Sequence, residues 1–114
     1  MGQRSEAAVV GGCLKLLNGL PRGHAKKVHG GKMGRAGEPD IDAVVDGRAV
    51  KVEVKAPGRL HELKPIQEYR LQQWGAAGAA VGVVAGEREL AELLLREGLA
   101  VWEDIPPKWR PDGG

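Results

Sequence analysis

The sequence predicts an α/β domain, a mixed β-sheet flanked by helices in the order αβββαβα. Three observations predict it. Two β-rich runs, Asp40 to Val45 and Arg48 to Lys55, are joined by Asp46-Gly47, the usual dipeptide of a type I′ hairpin. Apolar residues recur at helical spacing near the N-terminus, after Pro65 and after Glu87. Between the last two helical segments stands a short, wholly apolar run, Ala79 to Ala85 (AAVGVVA), as expected for a strand covered on both faces.

Taken in order, the first helix is predicted from about Ser5 to Leu17, with Ser5 as its cap and Asn18-Gly19 at its end. Its inward stripe is Val10, Cys13, Leu14 and Leu17, and one step of four back from Val10 reaches Glu6, which is therefore expected on the core side. His24 to His29 has the pattern of a short strand, and the glycine-rich stretch Gly30 to Gly37 reads as a loop leading into the hairpin. Two histidines five residues apart on opposite strand faces do not share a metal, which argues against zinc. Pro57 to Lys64 is expected to be irregular, and Pro65 suits the first turn of a helix running to about Ala77. Gln67, Leu71 and Trp74 lie on one stripe of that helix. The apolar run at 79–85 belongs in the sheet centre. A last helix is predicted from Glu87 to Glu97, with Leu90, Leu93 and Leu94 inward and Gly98 ending it. Leu99 to Trp102 is placed as an edge strand, and residues 105–114 as a Pro-rich tail beyond a single domain of residues 1–104.

With no Phe, three Trp and one Tyr, the core must be built from Val, Leu, Ile and Ala. The lone Cys13 has no partner for an intramolecular disulfide and fits a reducing, cytoplasmic setting. No secretion signal and no membrane span are expected, since no long apolar run exists. The net charge of +2 is unevenly placed: residues 1–35 carry seven Lys or Arg (Arg4, Lys15, Arg22, Lys26, Lys27, Lys32, Arg35) against Glu6 alone, so the remainder is acidic. A cationic flank beside a carboxylate cluster suits an enzyme acting on a polyanion. Lys26, Lys27, Lys32 and Arg35 are candidate contacts to a nucleic-acid backbone; plain solvated charge is the other reading.

The hairpin carries the chemistry. A two-residue turn at 46 and 47 pairs Val45 with Arg48 and, counting outward, Asp42 with Lys51 and Asp40 with Glu53. Because side chains alternate, Asp40, Asp42, Lys51, Glu53 and Lys55 share one face, and Ile41, Ala43, Val45, Val50, Val52 and Val54 the other. Two carboxylates directly opposite one another, with Cβ atoms about 5 Å apart, repel unless a cation or a shared proton neutralises them. An oxygen-rich site with a nearby lysine suits Mg²⁺ or Mn²⁺. A hairpin with a merely solvated charged face is the alternative. Asp42 opposite Lys51 is most simply a cross-strand ion pair.

Pro39-Asp40, followed after a hairpin-length gap by Glu53-Val54-Lys55, resembles the PD-(D/E)XK nuclease signature. The preceding Gly37 and the later Leu63-Lys64-Pro65-Ile66-Gln67 narrow the resemblance to the VRR-NUC branch, which includes small phage and bacterial nucleases related to Holliday-junction resolvases. It spans about Glu6 to Val84. Lys64 departs from the pattern, standing where such a helix normally carries a Ser or Thr cap.

The resemblance implies a restriction-endonuclease-like fold and a metal-dependent DNA endonuclease that hydrolyses phosphodiester bonds, structure-specific on Holliday junctions or flaps. It implies Asp40 and Glu53 as ligands of Mg²⁺ or Mn²⁺, with the backbone carbonyl of Val54 completing the set and Lys55 as the catalytic amine. Gln67 would help position groups at the metal, and Glu6 would add a ligand; an acid complementing the dipole of the first helix is the other account of Glu6. For Gln67 the other account is a first-turn side chain satisfying free backbone N–H groups. DNA and a second copy of the chain are the implied partners, in a bacterial or phage-infected cytoplasm. A non-catalytic DNA-binding module that keeps the fold is the rival reading.

Overall fold

The computed structural model describes residues 4–29 and 34–111. Helix α1 (Glu6–Asn18) is followed by β1 (Gly23–Lys27), β2 (Ile41–Val45) and β3 (Arg48–Val54), then α2 (Pro65–Ala76), β4 (Ala80–Val84) and α3 (Glu87–Arg96). The strands form one mixed sheet in the order β1-β2-β3-β4, antiparallel across the first two pairings and parallel across the third.

Local chemistry accounts for most boundaries. The Ser5 hydroxyl accepts from the Ala8 N–H at 3.1 Å and starts α1. Its end is tied to β1 by Asn18, whose Nδ2 donates to the Ala25 carbonyl at 3.1 Å while its Oδ1 accepts from the Ala25 N–H at 2.9 Å. One side chain thus satisfies a stretch of the outer edge of β1, where a neighbouring strand would otherwise bond. In the hairpin, Asp46 (φ 50°) and Gly47 (φ 81°) are both left-handed, as a type I′ turn demands. The resulting register pairs Val45 with Arg48, Ala43 with Val50 and Asp42 with Lys51.

The apolar face of the hairpin builds the core. Ile41, Ala43, Val45, Val50, Val52 and Val54 are buried against Val9, Val10, Cys13, Leu16 and Leu17 of α1 and Leu90, Ala91, Leu93 and Leu94 of α3. Leu14, placed on the inward stripe from sequence, is only partly buried, and Leu16 takes its place. Burial pushes the Cys13 thiol up to about 12, so it is an inert apolar filler rather than a nucleophile. Glu87, at the start of α3, is buried at 3% exposure; both its oxygens accept from Arg4, and Gly12 leaves the room its carboxylate occupies.

Three expectations need correction. The apolar strand β4 lies at the edge of the sheet, not its centre: Val81 faces Gly75 of α2 and Gly82 faces Leu93 of α3. Two helices supply the cover that the apolar run signals. No edge strand forms at 99–102, because Asp104 accepts the Val101 N–H at 3.0 Å and its own N–H returns to the Val101 carbonyl, closing a 3-10 turn at Trp102–Asp104. Nor do residues 105–111 stand apart from the domain. Ile105 is 1% exposed within the core, Trp109 packs against it, and Arg88 donates to the carbonyls of Lys108 and Arg110. Among the described residues no helix is long and apolar enough to cross a membrane.

Candidate active site

The ladder between β2 and β3 stops at Ile41 and Val52, one step short of the two acids. Beyond it, Asp40 turns its carboxylate onto β3, where Oδ2 accepts from the Val54 N–H at 2.8 Å. The Asp40 carbonyl accepts from the Val28 N–H at 2.7 Å, which holds the backbone of the same residue from the other side. Glu53, next to the last residue of β3, projects onto that face and is 2% exposed. Its Oε2 lies 3.5 Å from Lys55 Nζ, and its Oε1 is a buried oxygen with no hydrogen-bond partner.

An unsatisfied carboxylate oxygen in the interior is costly, on the order of 1–3 kcal/mol even before the charge is considered. Burial, then the neighbouring Asp40 charge, and a hydrogen bond that the protonated form makes to Asp40 push the Glu53 carboxyl up to about 7, and Lys55 offsets them only in part. Near neutral pH the pair is therefore poised to take up either a proton or a cation. The donors are hard oxygens, which fit Mg²⁺ or Mn²⁺ and not a thiophilic ion. Among the described residues no group of three His, Cys, Asp or Glu is assembled, so a bound ion would draw its remaining ligands from backbone, water or substrate, as Mg²⁺ commonly does.

Lys55, 7% exposed, donates from Nζ to Gln67 Oε1 at 3.0 Å. The same Gln67 oxygen accepts from the Lys64 N–H at 2.9 Å. The first-turn cap on α2 is thus present, and the same oxygen also contacts Lys55. This also explains how α2 starts without a Ser or Thr cap, since a residue three positions inside the helix satisfies the exposed N–H at its boundary.

Other predicted residues lie elsewhere. Glu6 is exposed, and neither the hydrogen bonds of Asp40 nor the charges acting on Glu53 include it, so the expectation that it points to the core side is corrected. Glu6, Ala7 and Ala8 in the first turn of α1 are all exposed, so solvent lies at that position on the stripe. Lys26 pairs with Asp42 across β1 and β2 and so shares the face of the two acids, whereas Lys27 pairs with Ile41 and points to the other side. Both are exposed. Arg35 is held by Glu38 in an ion pair of 2.9 Å. Lys32 lies outside the described residues. Trp109 of the Pro-rich segment packs on the core of its own chain.

The sequence reading missed one layer behind the acids. Lys51, 9% exposed, makes the expected ion pair to Asp42 at 2.7 Å, but its ammonium also lies 3.9 Å from the centre of the Trp74 ring. Trp74 Nε1 in turn donates to Glu38 Oε1 at 3.1 Å. Trp74 on the stripe of Gln67 was the available signal; Glu38 had none. The chain matches no family model, no curated protein and no solved structure.

Proposed function

We propose that this protein is a Mg²⁺- or Mn²⁺-dependent nuclease with a restriction-endonuclease-like fold that hydrolyses phosphodiester bonds in DNA. The observation that supports the reading most is the orphaned Glu53 Oε1, buried beside a second carboxylate with a lysine ammonium 3.5 Å from its other oxygen. A solvated charged hairpin has no reason to bury that oxygen. The order of elements and the mixed sheet accord with the fold that the VRR-NUC resemblance implies.

Asp40, Glu53 and the Val54 carbonyl would hold the ion, which when bound supplies Lewis acidity at a phosphoryl oxygen and acidifies a coordinated water. Asp40 is fixed for this by the Val54 N–H, which leaves its second oxygen uncommitted to that bond. The buried Lys55 ammonium has two partners, Glu53 Oε2 at 3.5 Å and Gln67 Oε1 at 3.0 Å. Gln67 keeps Nζ on the acidic face, where it can orient a water and donate to the oxygen on which charge develops. Lys26, exposed on that face, would contact the DNA backbone. A junction-resolving enzyme would act as a symmetric dimer with two sites, whereas a flap or nicking enzyme needs one.

Cleavage of flap, duplex, single-stranded and four-way-junction DNA, each with Mn²⁺ or EDTA, tests the reading, with light scattering to give the oligomeric state. Cleavage in Mn²⁺ and none in EDTA is expected, and Lys55→Ala should reduce it by a factor of at least 100 while DNA binding persists. A variant that cuts at the parental rate refutes the assignment of Lys55. Binding without cleavage of any substrate by the parent would favour the non-catalytic module.

A further inference from the structure

Helix α2 meets the site at three levels. Its first turn holds Lys55 through Gln67. One turn further on, Arg70 Nε donates to the Ala36 carbonyl at 3.1 Å, and a turn beyond that Trp74 Nε1 donates to Glu38 Oε1 at 3.1 Å. Both acceptors belong to the segment that ends at Asp40. Gly37 (φ 79°) lies between them and packs so closely on the helix that a Cβ there would fall 2.9 Å from the Ile66 backbone. The Trp74 ring also covers the Lys51 ammonium at 3.9 Å, and Lys51 is bonded to Asp42. Lys51 stands two residues from Glu53 on β3, and Glu38 two residues from Asp40. One indole is therefore joined to both stretches of chain that carry the carboxylates.

Asp40 needs such a joint. Val28 holds the Asp40 carbonyl on the β1 side, but toward β3 Asp40 lies just past the end of the β2–β3 ladder, so its place beside Glu53 rests on the single bond from the Val54 N–H to its carboxylate, against the repulsion of two acids. Glu38 receives both the Trp74 indole N–H, at 3.1 Å, and the Arg35 guanidinium, at 2.9 Å, so its carboxylate is held from two sides.

We propose that Trp74 is a positioning residue for the carboxylate pair: its N–H, received by Glu38, fixes the segment so that Asp40 stays on the Val54 amide and beside Glu53. The consequence for metal binding rests on the nuclease reading, while the placement of Asp40 does not. A ring that merely fills space over Lys51 would be replaced by phenylalanine without effect on Asp40.

The test compares Trp74→Phe, which keeps a ring and loses the donor, with Glu38→Ala, which loses the acceptor, and Glu38→Gln, which keeps an acceptor oxygen. Two quantities are read: the amide proton resonance of Val54 in metal-free protein, held downfield by the Asp40 carboxylate, and the affinity for Mn²⁺ alone by calorimetry. Trp74→Phe and Glu38→Ala should each move the Val54 resonance upfield with Val52 unmoved and weaken Mn²⁺ roughly tenfold, the effect of losing one hydrogen bond to a charged group. The double variant should be no worse than either single one, since both remove the same bond, and Glu38→Gln should stay near the parent. A folded Trp74→Phe or Glu38→Ala protein whose Val54 resonance does not move overturns the proposal. Should the parent bind Mn²⁺ no better than Asp40→Asn, the nuclease reading fails instead, and the Val54 resonance still decides the role of Trp74.

Discussion

At Glu53, the pairing of a raised pKa with near-complete burial gives the protein a pH dependence of definite sign. Between the ordinary carboxyl value of 4.5 and about 7, metal-free folded protein holds a proton on Glu53 that the unfolded chain has released. The native state thus binds more protons over that window, and the Glu53 contribution to stability is full below pH 4.5 and falls as pH rises to about 7. The whole effect is of order 3 kcal/mol. Glu53→Gln removes the titration, while Lys55 retains Gln67 as a partner. In EDTA, urea unfolding should show the variant gaining about 2–3 kcal/mol on the parent between pH 4.5 and pH 8. A difference that stays constant with pH would mean that Glu53 titrates normally. Mn²⁺ at pH 8 should stabilise the parent and leave the variant nearly unmoved, because mass action rewards only the state that binds the ion.

On the scale of elements, α2 decides how well the site is assembled. Its sheet-facing stripe, Gln67, Leu71 and Trp74, is readable from spacing, but its other dependence is on Gly37. There the backbone is left-handed and the helix blocks the position that a Cβ would take, 2.8 Å from the Ile66 side chain and 2.9 Å from its backbone. Gly37→Ala is expected to destabilise the fold by roughly 1–3 kcal/mol, from the left-handed conformation and from the displacement of the segment off α2. Urea unfolding measures this, and an unchanged midpoint would show that the contact relaxes without strain. The Glu53, Lys55 and Asp40 side chains are legible in the hairpin because a two-residue turn fixes a register and register fixes faces. Glu38 is not legible in the same way, since it lies in an irregular segment whose course depends on α2.

For the molecule as a whole, residues 105–111 close the core rather than trail from it. Ile105 is 1% exposed among Leu and Val side chains, so Ile105→Ala should cost about 2–5 kcal/mol, read as a lowered thermal midpoint without a change in the far-ultraviolet spectrum at 20 °C. A loss below 1 kcal/mol would place residues after 104 outside the cooperative unit. Their Pro-rich composition resembles that of a linker, and burial of a single Ile ahead of two prolines leaves no periodic signal. Edge and centre of the sheet were likewise indistinguishable from sequence, because an apolar strand reports cover on both faces and not whether strands or helices provide it.

What the amino-acid order determined by itself is everything that depends on neighbours close along the chain: the hairpin and its register, the Ser5 cap, the faces of the strands, and hence an acidic face opposite an aliphatic core. Only the tertiary structure decided that the Glu53 oxygen is left without a partner, that Arg4 neutralises Glu87, that Gln67 serves helix and lysine at once, and that Trp74 ties Glu38 to Lys51. Each of these pairs residues far apart in the chain or depends on exclusion of water, and periodicity carries no information about either.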